Sequence, residues 1–487
     1  MLEAYSDSLF EAAHVLVDSS LRNSEQPGLR ELELLRTLSF ADVRRLAHPQ
    51  RKLLLAGMLM ARIRADDNIA AFELAEVTAE RGFNRLLTPD PASEFHALEA
   101  ALAEAYLATG YSTKAVLHAH RLLESVEEGA SPEWELRTYG ICAAAHAIDG
   151  DHRTAQSFLD RVARLKTQQG WPSDQVEFMD AIAEIVIAFT SMDGARIRLL
   201  RDATTRLPER EPTALSLVHL IQALALFADG DVTGTLAGSA IVAHGSDLPT
   251  GPSFIRMCAL AIEAIVLIQR GTPAQALALL HDVPALHDHY VCFDVVRASA
   301  FILLGDYRAA LQVTDGCMRE RATHSRWMMP ATLLRRAIAN MRLGNPEEAA
   351  TDGVDALDFV ESVSPQLGLI MLPTRDLLSL GVRIFAEQPR LLPRLGKLQH
   401  DIRRLPKFIT PSFPLPSLSP RERIIAIQLR GDKSYAELAA DLHVSPSTVK
   451  SQANAVAKKL GAHTREEAVE RLEQSGFYTI YGETPAA

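Results

Sequence analysis

Aromatic residues are scarce in this 487-residue chain, 6% against an apolar content of 47%. The apolar side chains are therefore mostly Ala and aliphatic, a composition that favours helices over sheets. Long apolar runs are missing as well. "LLLAGMLMA" from Leu53 falls well short of the roughly 20 residues a membrane-spanning helix needs. The first residues, "MLEAYSDSLFEAAHVL", contain acids and no basic n-region, which argues against a secretory signal. A soluble, cytoplasmic protein with no membrane association is expected.

Cysteine is rare. Cys142, Cys258, Cys292 and Cys317 are widely spaced and form no C-x-x-C, so buried free thiols in a reducing compartment are expected. No G-x-x-x-x-G-K-[ST] occurs. Gly396-Lys397 lacks a glycine at the needed spacing and is followed by Leu398, which argues against a P-loop ATPase. The alternating strands and acidic cluster of a phospho-receiver domain are absent from the N-terminal text. No Ser/His/Asp or Cys/His set carries a local nucleophile signature, so no enzyme, cofactor or metal is expected. "HDVPALHDHY" gathers His281, Asp282, His287, Asp288 and His289, which reads as an exposed inter-repeat loop rather than a metal site. His118 and His120, two apart on a helix, do not share a face. Glu347 and Glu348 read as helix-start carboxylates.

The net charge is −11. Its acidic surplus lies in residues 1–382, and residues 383–407 are basic. The acidic part repeats itself. "ALAEAYLATGYSTKAVLHAHRLLE" from Ala101, "ICAAAHAIDGDHRTAQSFLDRVARL" from Ile141 and "RASAFILLGDYRAALQVTDGCM" from Arg297 each read as helix, turn glycine, helix. The turn glycines are Gly110, Gly150, Gly230, Gly271, Gly305 and Gly344, spaced near 40 residues or a multiple of it, with one interval near 34. Met192–Gly194 marks a degenerate turn in the same series. One hairpin cannot bury its own apolar face, so stacked hairpins are expected to build one core. Residues 86–382 resemble tetratricopeptide-like repeats through "LAEAYLATGYSTKAVLHAHRLLE" and "LLGDYRAALQV", with the usual Trp and trailing Pro mostly missing. Residues 1–85 are helical by pattern and read as a cap or a small helical domain. Residues 383–413 read as a basic, Pro-rich linker.

Residues 414–479 are different in kind. Ser419 and Glu422 form a capping box with Pro420 at the first helical position, and Gly431 ends that helix. Ile424, Ile425, Ile427 and Leu429 give it a broad apolar face. Ser434 and Glu437 start a second helix, with Leu438, Ala439 and Leu442 inward, and His443-Val444 form a short turn. Ser445 caps a third helix, Pro446 to Leu460. Val449, Ala453, Val456 and Leu460 recur on its inner face. Its other face, Ser447, Thr448, Lys450, Ser451, Asn454 and Lys458, is polar and basic, and no carboxylate occurs from Pro446 through Leu460. Thr464 and Glu467 cap a fourth helix.

This layout resembles the DNA-binding domain of LuxR-type (NarL/FixJ-type) regulators, through "LSPRER", "AELAADLHVS", "STVKSQ" and "KKLGA". Tyr435-Ala436 and Gln452 depart from the usual pattern. With the repeats, this gives an all-α chain: a helical-repeat α-solenoid followed by a four-helix domain that, by the resemblance, is a helix-turn-helix reading the major groove of double-stranded DNA. The resemblance implies base-facing roles for Lys450, Ser451 and Asn454. Phosphate contacts fall to Thr448, Lys458, Lys459 and Arg465 with the backbone N–H groups at the Ser445 cap, and Ser445 and Ser447 are also counted among the DNA-binding residues. Pairing on DNA as a homodimer, with Ala468, Val469 and Leu472 as an apolar stripe, follows too. Large regulators of this type often carry an ATPase domain before their repeats, and this chain resembles the repeat-plus-reader portion. The body is then expected to receive a small-molecule effector or a protein partner such as RNA polymerase. The alternative is an interaction scaffold whose C-terminal bundle docks proteins.

Overall fold

The computed structural model describes residues 2–19, 29–43, 48–80, 92–126, 131–172, 176–204, 212–245, 253–283, 291–321, 324, 326–360, 367, 371–387, 418–431, 433–474 and 477–478. The regular elements among them are α-helices, as the aliphatic-rich composition predicts. The 383–413 linker lies outside the described residues apart from its first five. His287, Asp288 and His289 lie outside them too.

The chain begins with α1 (Leu2–Ser19), α2 (Leu29–Thr37) and the single turn α3 (Phe40–Val43). Hairpins follow. They are α4 (His48–Arg64) with α5 (Asn68–Glu80), α6 (Ala92–Thr109) with α7 (Ser112–Val126), and α8 (Pro132–Asp149) with α9 (His152–Gln168). Next come α10 (Phe178–Thr190) with α11 (Gly194–Thr204), α12 (Pro212–Asp229) with α13 (Val232–His244), and α14 (Phe254–Gln269) with α15 (Pro273–Leu279). The last two pairs are α16 (Phe293–Leu304) with α17 (Tyr307–Arg319) and α18 (Met328–Leu343) with α19 (Pro346–Val360), after which α20 (Thr374–Glu387) packs on both α18 and α19.

The turns show why the chain reverses where it does. At Gly150, φ is +93°, and its N–H and that of Asp151 return to the carbonyls of Ala147 and His146. This closes α8 in the left-handed manner glycine permits. The Asp151 side chain then accepts the Thr154 N–H and starts α9. Asp231 and Asp306 repeat the second half of that device after Gly230 and Gly305. All six expected turn glycines have positive φ. Met192 takes the same role at φ +55°, with Asp193 accepting the Arg196 N–H. One turn had no glycine to announce it: Asp66, φ +59°, joins α4 to α5, and the Asn68 amide donates to its carboxylate at 2.6 Å.

Hairpins distant in sequence meet. The Thr213 hydroxyl donates to the Ile63 carbonyl at 2.6 Å, and Arg256 on α14 pairs with Asp66. A Cβ on Gly150 would come 2.9 Å from the Trp327 backbone nitrogen, so only glycine lets the α8–α9 turn approach the start of α18. One apolar core runs from Leu9 to Ile384, and α1 and α4 contribute to it together with the later hairpins. A second core, from Leu418 to Tyr478, belongs to the C-terminal helices.

The first helices of five successive hairpins, α10, α12, α14, α16 and α18, face a common hollow. Phe189, Leu224, Ile262, Val296, Trp327 and Met371 are among its walls, and the lining is almost wholly apolar. The acidic surplus of the body therefore lies elsewhere than in this hollow. Helix α12 is long and apolar enough to cross a membrane, but half of it is buried and it packs against α10, α11, α13 and α14. The cysteines are buried or half-buried. They are not all apart, however: Cys292 and Cys317 lie with their sulfurs 3.5 Å from each other.

Candidate nucleic-acid interface

Four C-terminal helices form a compact unit: α21 (Pro420–Leu429), α22 (Tyr435–Asp441), α23 (Pro446–Leu460) and α24 (Arg465–Gln474). Short-range hydrogen bonds fix their starts. Ser419 and Glu422 form a reciprocal capping box on α21, and Ser434 with Glu437 forms another on α22. At α24 the Thr464 hydroxyl accepts the Glu467 N–H, while the Glu467 carboxylate accepts the N–H of His463.

The turn between α22 and α23 depends on His443 at φ +52°, a conformation that His reaches more readily than most residues. The Val444 N–H returns to the Ala439 carbonyl at 3.0 Å. Ser445 follows in extended conformation, and its Oγ accepts the Thr448 N–H. The Ser447 and Thr448 hydroxyls lie 2.8 and 2.7 Å from the same oxygen. Three hydroxyls thus gather at one exposed point at the start of a helix. Gly461, φ +69°, closes α23.

Helix α23 is sharply two-sided. Val449, Ala453 and Val456 are buried, and Leu460 packs against the same core. Ser447, Ser451, Asn454 and Lys458 sit two residues earlier at each step, about 200° around the helix at about 100° per residue. All four are exposed, as are Ser445, Thr448 and Lys450. The positive dipole end, the hydroxyl cluster and two lysines therefore share one open surface that no acidic residue of α23 interrupts.

Two of the expected phosphate ligands are placed otherwise. The Lys459 ammonium donates to the Glu422 carboxylate at 2.6 Å, which ties α23 to the start of α21. This donation holds the Glu422 carboxyl below the usual carboxylate range, with the Ser419 N–H contributing. Arg465 donates to the carbonyls of Leu429, Lys433 and Gly431 at 3.0, 2.8 and 2.5 Å. Its guanidinium closes the end of α21 and the α21–α22 connection, lying over the Tyr435 ring. Carbonyls at a helix end lack intrahelical donors, and Arg465 supplies them in place of a left-handed glycine. Gly431 is accordingly not among the glycines with positive φ.

Other side chains have roles that local spacing does not reveal. Arg471 donates to the Leu460 carbonyl at the end of α23 and to Glu467. The Tyr478 hydroxyl donates to the Ala426 carbonyl, and Phe477 and Tyr478 complete the core. Ala468 is buried, Leu472 belongs to that core and Val469 packs against it, so the apolar stripe of α24 is used within the domain. Ile424, expected on the inner face of α21, is exposed. Neither histidine of the His118/His120 pair joins this surface. His118 contacts buried Glu99 at 2.7 Å, and His120 contacts His146 at 3.2 Å, each facing a different neighbour.

Residues 416–472 match the family described as bacterial regulatory proteins, LuxR family. They form a LuxR-family helix-turn-helix domain, with α22, the His443 turn and α23 as the helix-turn-helix itself, and this supports a DNA-binding transcription regulator. No curated protein matches the chain.

Proposed function

We propose that the chain is a sequence-specific transcription regulator that lays α23 in the major groove of double-stranded DNA. The observation that carries this reading is the two-sided α23: buried Val449, Ala453 and Val456 behind, exposed Lys450, Ser451, Asn454 and Lys458 in front. Lysine can donate to guanine O6 and N7, and asparagine bonds adenine through two atoms. Lys450, Ser451 and Asn454 face base edges in this reading. The Ser445, Ser447 and Thr448 hydroxyls, the N–H groups behind them and Lys458 hold phosphates. Lys459 and Arg465 act one step back, by fixing the domain that presents α23.

The role of the body in this proposal is to receive an effector, and the apolar hollow between α10 and α18 favours a small apolar molecule over a charged one. Such a ligand changes DNA affinity only through unequal affinity for the DNA-competent and incompetent arrangements. A role on chromosomal DNA implies residence in the bacterial cytoplasm, without catalysis by the body. It also suggests contact with RNA polymerase. Pairing of two copies on DNA belongs to the proposal, through a surface other than the Ala468–Leu472 stripe.

The test is selection of fragmented genomic DNA on the full-length protein at physiological salt. Recovery of a shared sequence motif, protected in footprints along its major groove, is the expected result. Recovery of random fragments, with equal affinity for motif and scrambled DNA, would leave the scaffold reading in its place.

A further inference from the structure

Cys292 caps the start of α16, and Cys317 lies in the last turn of the partner helix α17. The hairpin fold brings the open end of this pair together, so residues 25 apart in sequence place their sulfurs 3.5 Å apart. His324 lies beyond α17, with its N–H on the Glu320 carbonyl. All three side chains are buried, and one ligand atom from each falls within 4.8 Å of the others. Two sulfurs and an imidazole are therefore gathered on one spot from three places in the chain.

The dimensions suit a metal. A tetrahedral ion with metal–sulfur bonds of about 2.3 Å holds its sulfurs about 3.8 Å apart, a few tenths of an ångström wider than here. Cys142, by contrast, has its sulfur directed at the Ala119 carbonyl, and Cys258 stands in the wall of the hollow.

We propose that Cys292, Cys317 and His324 form a binding site for one thiophilic d10 cation, Zn(II) or Cu(I). Each bond forms between a thiolate sulfur or an imidazole nitrogen and the ion, and any proton on a ligating thiol is released to solvent. Carboxylate-seeking ions such as Mg(II) and Ca(II) do not fit a sulfur-rich donor set. Cys292 also borders the apolar hollow, so the ion would join the start of α16, the end of α17 and the stretch before α18 at one edge of that space. This assignment is independent of what the C-terminal domain binds.

The experiment uses the full-length, fully reduced protein without oxygen. Co(II) stands in for Zn(II), and its thiolate-to-metal charge-transfer absorption reports sulfur ligation. Cu(I) is offered separately, in competition with a coloured Cu(I) chelator. The expected result is saturation at one equivalent of either ion. Stoichiometric displacement of Co(II) by Zn(II) marks a zinc site, and Cu(I) binding without a Co(II) band marks a copper site. The band should weaken in Cys292→Ser and Cys317→Ser, vanish in the double variant, and persist in Cys142→Ser and Cys258→Ala. His324→Gln should weaken binding while both sulfurs remain. Circular dichroism identifies any variant that fails to fold, and the titration of the unaltered chain stands without them. Three results overturn the proposal: no binding of either ion by the reduced chain, a band that survives the double variant, or recovery of Cys292 and Cys317 as a disulfide from protein kept reduced throughout purification. The last would make the pair a redox couple.

Discussion

Helices α18 and α23 are nearly equal in length, 16 and 15 residues, yet their surfaces are used in opposite ways. Twelve residues of α18 are buried, including Arg335, whereas only Val449, Ala453 and Val456 are buried in α23. A helix enclosed on most sides contributes chiefly to stability and offers no broad exposed face to another macromolecule. A helix anchored by one narrow stripe keeps most of its circumference for another molecule. The body and the reader are thus built on two principles, and substitutions should separate them.

The largest effect is expected at Arg335→Ala. It removes the donors that serve the Val295 and Ala331 carbonyls and leaves a large void in the body. A loss of about 3 kcal/mol or more is expected in chemical unfolding of the body. Chemical unfolding followed by a probe in each core should show the loss in the body transition only. An equal shift in the C-terminal transition would break the separation.

Lys450→Ala probes the open face of α23. It should leave the unfolding transition unchanged and cost roughly 1–3 kcal/mol of specific DNA affinity, with relaxed preference at one base position. Competition between matched and mutated sites measures both. Unaltered sequence preference would remove Lys450 from base reading.

Glu422→Gln sharpens the contrast between holding a reader and reading. Glu422 accepts from Ser419 and from Lys459, and its carboxyl is held below the usual range. A depressed folded value means that its stabilisation is complete above the ordinary carboxylate range and fades as pH falls through the folded value. The variant is expected to lose about 1 kcal/mol of domain stability near neutral pH. Its stability should also depend less on pH than that of the parent under acid conditions. Parallel acid profiles in the two proteins would contradict this role.

The smallest effect belongs to Lys458→Ala, which should weaken binding to all sequences alike and lower the salt slope by about one unit. The same measurement on Lys459→Ala distinguishes the neighbours. Lys459 is paired with Glu422, so its removal should act through domain stability more than through the salt slope.

Much of the reader was legible before its structure. Capping boxes, the Ser445 start, the Gly461 stop and the inner stripe of α23 are contacts between residues three or four apart, and such contacts leave their spacing in the sequence. The turn glycines of the body are legible for the same reason, since one residue must take φ > 0 and few can. Asp66 shows the limit of that signal. It takes the same conformation without glycine, supported by Asn68 beside it and by Arg256 from α14.

Sequence alone thus determined which segments are helices, where hairpins reverse and which face of α23 is open, because backbone geometry and helical period are local. Tertiary structure alone decided that Arg465 closes the end of α21 and that Lys459 meets Glu422. It also gathered Cys292, Cys317 and His324 and left an apolar hollow along five inner helices. Each of these depends on the angle and distance at which helices cross. Those quantities are set by the packing of many side chains at once, and no spacing of residues along the chain records them.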